Sequence, residues 1–69
     1  MEGTIVFLHR KGWGEIRSSE SASRIKFDRA ELQDLEFRYS LGRQILFDVF
    51  DDRAVRVRPV RALAAKGGG

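Results

Sequence analysis

The chain has no cysteine, which excludes a disulfide framework and any thiolate metal site. Its one histidine, His9, excludes a multi-histidine metal site as well. No apolar run exceeds four residues, and "IVFL" at 5–8 falls far short of the about 20 that span a bilayer. Nothing reads as a signal peptide, so no membrane partner is expected and a cytoplasmic location is the default. There is no Ser-His-Asp set, no P-loop and no metal-ligand cluster. The carboxylates at Asp28, Glu31, Asp34, Asp48, Asp51 and Asp52 show no spacing that implies a pair. The chain is therefore not read as an enzyme, and neither cofactor nor metal is expected.

What is present is charge and alternation. Sixty-nine residues make one domain near the lower limit for folding without help, and a 42% hydrophobic content suffices for one core. Without disulfides, stability must come from packing or from a partner. Thirteen Lys and Arg stand against ten Asp and Glu, a net +3 that fits a polyanion binder and also fits a merely soluble domain. Ten of the thirteen basic residues are arginine, the side chain suited to planar and phosphate recognition.

Apolar residues mostly alternate, the period of a strand with one buried face. "GTIVFLH" at 3–9, "WGEIR" at 13–17, "RIKFD" at 24–28, "QILFDVF" at 44–50 and "AVRVRPV" at 54–60 read as five strands. Residues 10–12 and 51–53 read as turns, "SSESAS" at 18–23 as a flexible polar loop, and 29–35 as a locally helical or 3₁₀ stretch. The alternation predicts a common core of Ile5, Ile16, Ile25, Phe27, Ile45, Phe47, Val49, Val55 and Val57. A sheet of this size removes its open edges by curling on itself. The expected fold is therefore all-β, a five-stranded antiparallel barrel of the OB type over residues 1–62. Residues 63–69, ending in three glycines, read as a flexible tail or linker.

Five stretches, in order over roughly residues 2–61, resemble the cold-shock domain: "GTIVF" at 3–7, "KGWGEI" at 11–16, "RIKFDRAEL" at 24–32, "GRQILFDV" at 42–49 and "AVRVRPV" at 54–60. The resemblance implies binding of single-stranded RNA or DNA by stacking bases on aromatic side chains, with a role as RNA chaperone or regulator of gene expression. By position, Phe7 takes the place of a first-strand aromatic, Lys11 the motif lysine, Trp13 the first stacking aromatic and Phe37 a loop aromatic. The pattern is departed from at Glu15 and Lys26, where stacking phenylalanines are expected, at Asp28 in place of a histidine, and at Arg29 in place of an aromatic. The binding face is thus partly degenerate.

Alternation places Trp13, Glu15 and Arg17 on the outer face, since Gly14 and Ile16 point inward; with Gly12 and Gly14 on either side, the Trp13 ring is expected to be largely exposed to solvent. Glu15 and Lys26 are expected side by side across neighbouring strands, as an ion pair or, in the functional alternative, with Lys26 and Arg24 meeting phosphates. The arginines at 53, 56, 58 and 61 are spaced along one side of the last strand; Arg56 and Arg58 are candidates for a second phosphate track. Phe37 and Tyr39 either lid the barrel or stack on a ligand, and His9 reads as a surface turn residue. The candidate nucleic-acid contacts are Phe7, Lys11, Trp13, Arg17, Lys26, Phe37, Arg56 and Arg58. A second reading belongs to another class: a protein-interaction or homodimerising module on the same fold, with Leu46 and Phe50 as an apolar patch.

Overall fold

A computed structural model describes residues 1–60 of the chain. Arg61 and the expected glycine-rich tail lie outside the described residues. The five expected strands form: β1 (Glu2–His9), β2 (Trp13–Arg17), β3 (Ile25–Asp28), β4 (Gln44–Phe50) and β5 (Arg53–Pro59). They close into a barrel in the order β1-β2-β3-β5-β4. Four of the neighbouring pairs are antiparallel, and β3 runs parallel to β5. An all-antiparallel barrel, as expected from the sequence, is not available to this ring. Directions can alternate all the way round a closed ring only when the number of strands is even. With five, at least one pair must be parallel.

The core is Ile5, Ile16, Ile25, Phe27, Ile45, Phe47, Ala54 and Val57. Two expected members are absent from it, for two different reasons. Val49 keeps the inward phase of Ile45 and Phe47 but lies at the rim of the barrel, 45% exposed. Val55 loses its phase. Between the pairs Leu46–Arg58 and Asp48–Val55, β5 carries one residue more than β4, and Arg56 has φ +52°. This bulge flips the parity of the strand, so Ala54 faces inward and Val55 does not.

The connection between β3 and β4 begins with a 3₁₀ turn (Arg29–Glu31) and contains a second one (Phe37–Tyr39). Asp28 caps the first by accepting a hydrogen bond from the Ala30 N–H at 2.8 Å. Leu32, Leu35 and Phe37 from this segment pack against the core, closing the end of the barrel left open by short strands. The hairpin between β4 and β5 turns on Asp51 and Asp52, at φ +56° and +63°, the pair of left-handed residues that a two-residue turn needs to match strand twist. The serine-rich segment is tied down at its start. Ser18 is buried, and its hydroxyl donates to the Glu2 carbonyl at 2.7 Å and accepts from the Glu20 N–H.

Candidate nucleic-acid interface

A second bulge decides which side chains reach the outer face of β1. The register steps from Ile5–Ile16 to Phe7–Glu15, two residues of β1 against one of β2. Strict alternation from Ile5 would send Phe7 inward. The extra residue sends Phe7 and His9 outward instead and lets Leu8 pack on the core. His9 then stands opposite Trp13.

These three rings form one cluster. The His9 and Trp13 rings stack with centroids 4.7 Å apart and 12° between planes. Phe7 lies 5.6 Å from Trp13, tilted by 51°, and 6.2 Å from His9, edge-on. From the other neighbouring strand, Lys26 places Nζ 5.1 Å from the Trp13 ring centroid, a cation–π contact worth ~0.5–1 kcal/mol where water has access. Trp13 is thus half-buried, flanked by β1 and β3 side chains, and not the fully open ring that its glycine neighbours suggest.

The two glycines have other tasks. Gly12 turns the chain at φ +101°, where a side chain would be strained. A Cβ on Gly14 would lie 2.7 Å from the Phe27 ring and 2.5 Å from the Phe7 carbonyl oxygen, so its absence lets the core ring sit directly beneath β2. The turn is further fixed by the Lys11 N–H, which donates to His9 Nδ1 at 3.1 Å. That bond holds the imidazole against Trp13 and leaves the Lys11 side chain exposed beside the cluster.

Glu15 and Lys26 are register partners, as expected. Their predicted ion pair does not form. Glu15 instead accepts from Arg24 Nη1 at 3.2 Å, and Lys26 is left to the tryptophan. Arg17 continues the outward row at the far end of β2 and makes no ion pair among the described residues.

The other expected contacts divide. Phe37 is a lid. It packs on the core, meets Phe27 edge-on at 6.4 Å, and has the Arg29 guanidinium 5.8 Å over its ring. An open groove of about 620 Å³ runs from His9 past Arg10, Arg29 and Phe37 to Arg38 and Tyr39, with Glu36 the one acid in its lining, so the lid's surface continues the aromatic cluster. Arg56 and Arg58 are not brought to this face. Both converge on Asp48 of β4, Arg56 at 2.7 Å and Arg58 at 3.6 Å, and Arg58 also donates to the Arg56 carbonyl at 2.6 Å.

His9 and the groove arginines were not among the expected contacts; Arg24 was expected to meet phosphate and is paired with Glu15 instead. His9 was legible: it lies two residues after Phe7, so any register that turns Phe7 outward turns His9 outward too. Among the described residues no three His, Cys, Asp or Glu side chains gather as a metal site would require, and no helix is long and apolar enough to cross a membrane.

No family model matches the chain, and no curated protein matches it. Among solved structures it is similar to one titled "drosophila Unr CSD456", with a TM-score of 0.73 and 24% identity over 94% of this chain. The chain spans 28% of the length of that one. The likeness shows the fold: the barrel is built as a cold-shock domain is built, in agreement with the resemblance read from the sequence.

Proposed function

We propose that the outer face of β1, β2 and β3 binds single-stranded RNA or DNA, weakly and with little preference arising from stacking itself. The observation that carries this reading is the Phe7–His9–Trp13 cluster with Lys26 against it. Aromatic faces on an exposed sheet accept any base, at roughly 1–3 kcal/mol per stacked base. Because His9 and Phe7 already hold the Trp13 ring, little side-chain freedom is left to lose on binding. Lys11, Lys26 and Arg17 are the cations available to phosphates on this face, and Arg10, Arg29 and Arg38 extend the basic path along the groove. A role as RNA chaperone or regulator of gene expression, at a cytoplasmic location, belongs to the same proposal.

The test is a titration of Trp13 fluorescence with oligo-U and oligo-dT. Saturable quenching is expected, weakening with salt at a log–log slope of about −0.7 per phosphate neutralised. Emission that stays constant at low salt and high oligonucleotide concentration would overturn the reading.

One observation favours a second reading, a protein-contact or homodimerising module. Phe50, beside the Asp51–Asp52 turn, is 74% exposed. Self-association through it would appear as a concentration-dependent sedimentation coefficient that Phe50→Ser abolishes.

A further inference from the structure

Glu15 occupies the centre of the aromatic face. Phe7 is its register partner on one side, Lys26 on the other, and Trp13 lies two residues away on the same strand. A carboxylate here opposes phosphate binding, yet it is built in: the side chain is only 22% exposed and one oxygen is held by Arg24 at 3.2 Å. A carboxylate offers about four acceptor positions and no donor. Arg24 uses one of them and sets a positive charge beside the carboxylate, which lessens its repulsion of an approaching strand.

We infer that Glu15, with Lys26 beside it, makes this face select a base that presents two adjacent donors next to an acceptor, guanine above all, over uracil or thymine. The inference rests on the reading of the face as a strand-binding surface. A base stacked on Phe7 or Trp13 lies with its edge in reach of the neighbouring outward side chains. The guanine pairing edge carries N1–H and the N2 amino group side by side, followed by O6. The two donors match a carboxylate held by one corner, and O6 matches an ammonium on the adjacent strand. Uracil presents a single N3–H between two carbonyl oxygens. One Glu15 oxygen can accept that proton, but the other then faces a carbonyl lone pair. Cytosine and adenine, each with one amino group beside an acceptor, fall between. A face of phenylalanines would make no such distinction, so the departure at position 15 changes what is read as well as how tightly.

The experiment compares three RNA heptamers, UUUGUUU, UUUIUUU with inosine, and UUUUUUU, on the wild-type chain and on Glu15→Gln. The guanine heptamer is expected to bind about fivefold more tightly than the uracil one, the low end for a paired base-edge contact because the site is open to water. Inosine, which lacks the N2 amino group, should fall between. Glu15→Gln, checked for an unchanged melting temperature, should bring the three within about twofold, since an amide presents one acceptor and one donor. Equal binding of all three by the wild type overturns the inference and leaves strand binding intact. A guanine preference that persists in Glu15→Gln removes Glu15 as its source. Failure of every heptamer to bind overturns the strand-binding reading, and this inference with it.

Discussion

Two walls of the barrel carry arginines on their outer faces and use them differently. On the β4–β5 wall, Arg56 and Arg58 share one carboxylate, Asp48, and Arg56 binds it through both Nε and Nη2. On the β1–β2–β3 wall, the acid Glu15 takes only Arg24, while Lys26 faces an aromatic ring and Lys11 and Arg17 face solvent. A count of basic residues treats the two walls alike. Availability separates them, because a guanidinium already paired with a carboxylate must give up that pair to meet a phosphate, whereas a lysine resting on a ring gives up little. Exposed ion pairs are individually weak, about 0–1 kcal/mol, so the contrast is one of degree and can be broken by experiment.

The largest expected effect removes both walls together. Phe47 is fully buried in the core they share, and Phe47→Ala should cost about 3–5 kcal/mol, much of the stability of so small a domain. Trp13 emission, which reports the first wall, and far-UV circular dichroism, which reports the whole barrel, should then be lost in one coincident transition. A variant that melts within a few degrees of the parent would mean that the β4 register is wrong. Two separate transitions would mean that the walls fold independently.

The next effect sets the walls against each other. Trp13→Ala should weaken binding of an oligo-U strand by ~1–3 kcal/mol with little loss of stability, since the ring is only half-buried. The double variant Arg56→Gln/Arg58→Gln should change affinity by less than about twofold. Equal losses from both would return the β5 arginines to the binding surface and erase the comparison.

How far the sequence revealed these walls depends on where the chain breaks its own period. β3 and β4 alternate without interruption, and there the inward residues Ile25, Phe27, Ile45 and Phe47 are legible. β1 and β5 each contain one extra residue, and every assignment beyond it by simple alternation inverts: Val55 for Ala54 in the core, and Phe7 turned outward with His9. Nothing in "TIVFLH" or "AVRVRP" announces a bulge, because neither places glycine at it; Arg56 takes a left-handed conformation without one. The expected Glu15–Lys26 ion pair fails for another reason. Register fixed Glu15 beside Lys26, but a long side chain has several neighbours within reach, and Arg24 and Trp13 won that competition.

A smaller effect sharpens the electrostatic half of the contrast. On an oligo-U strand, which offers Lys26 no guanine O6, the lysine is free to meet a phosphate, and Lys26→Gln should reduce the slope of log affinity against log salt by about 0.7. Arg56→Gln should leave the slope unchanged. A slope insensitive to Lys26 and sensitive to Arg56 would place the strand on the wrong wall.

The smallest expected effect concerns Arg56 itself and asks why the β4–β5 wall holds an arginine there. The residue stands at φ +52°, a conformation that costs a non-glycine residue of order 1 kcal/mol. Its side chain offsets part of that cost by gripping Asp48, and its N–H donates to Glu31 at 3.1 Å, which ties the bulge to the first 3₁₀ turn. Arg56→Gly relieves the left-handed strain and keeps the N–H, but loses the ion pair and gives the unfolded chain more freedom. These terms nearly cancel, so the melting temperature should move by no more than a few degrees, and strand affinity should not move at all. A loss well beyond 2 kcal/mol in denaturant titration would show that the Asp48 clasp is what makes the bulge. A stable variant with weakened strand binding would show instead that Arg56 is held in place for a phosphate, and that its pairing with Asp48 is only its resting position.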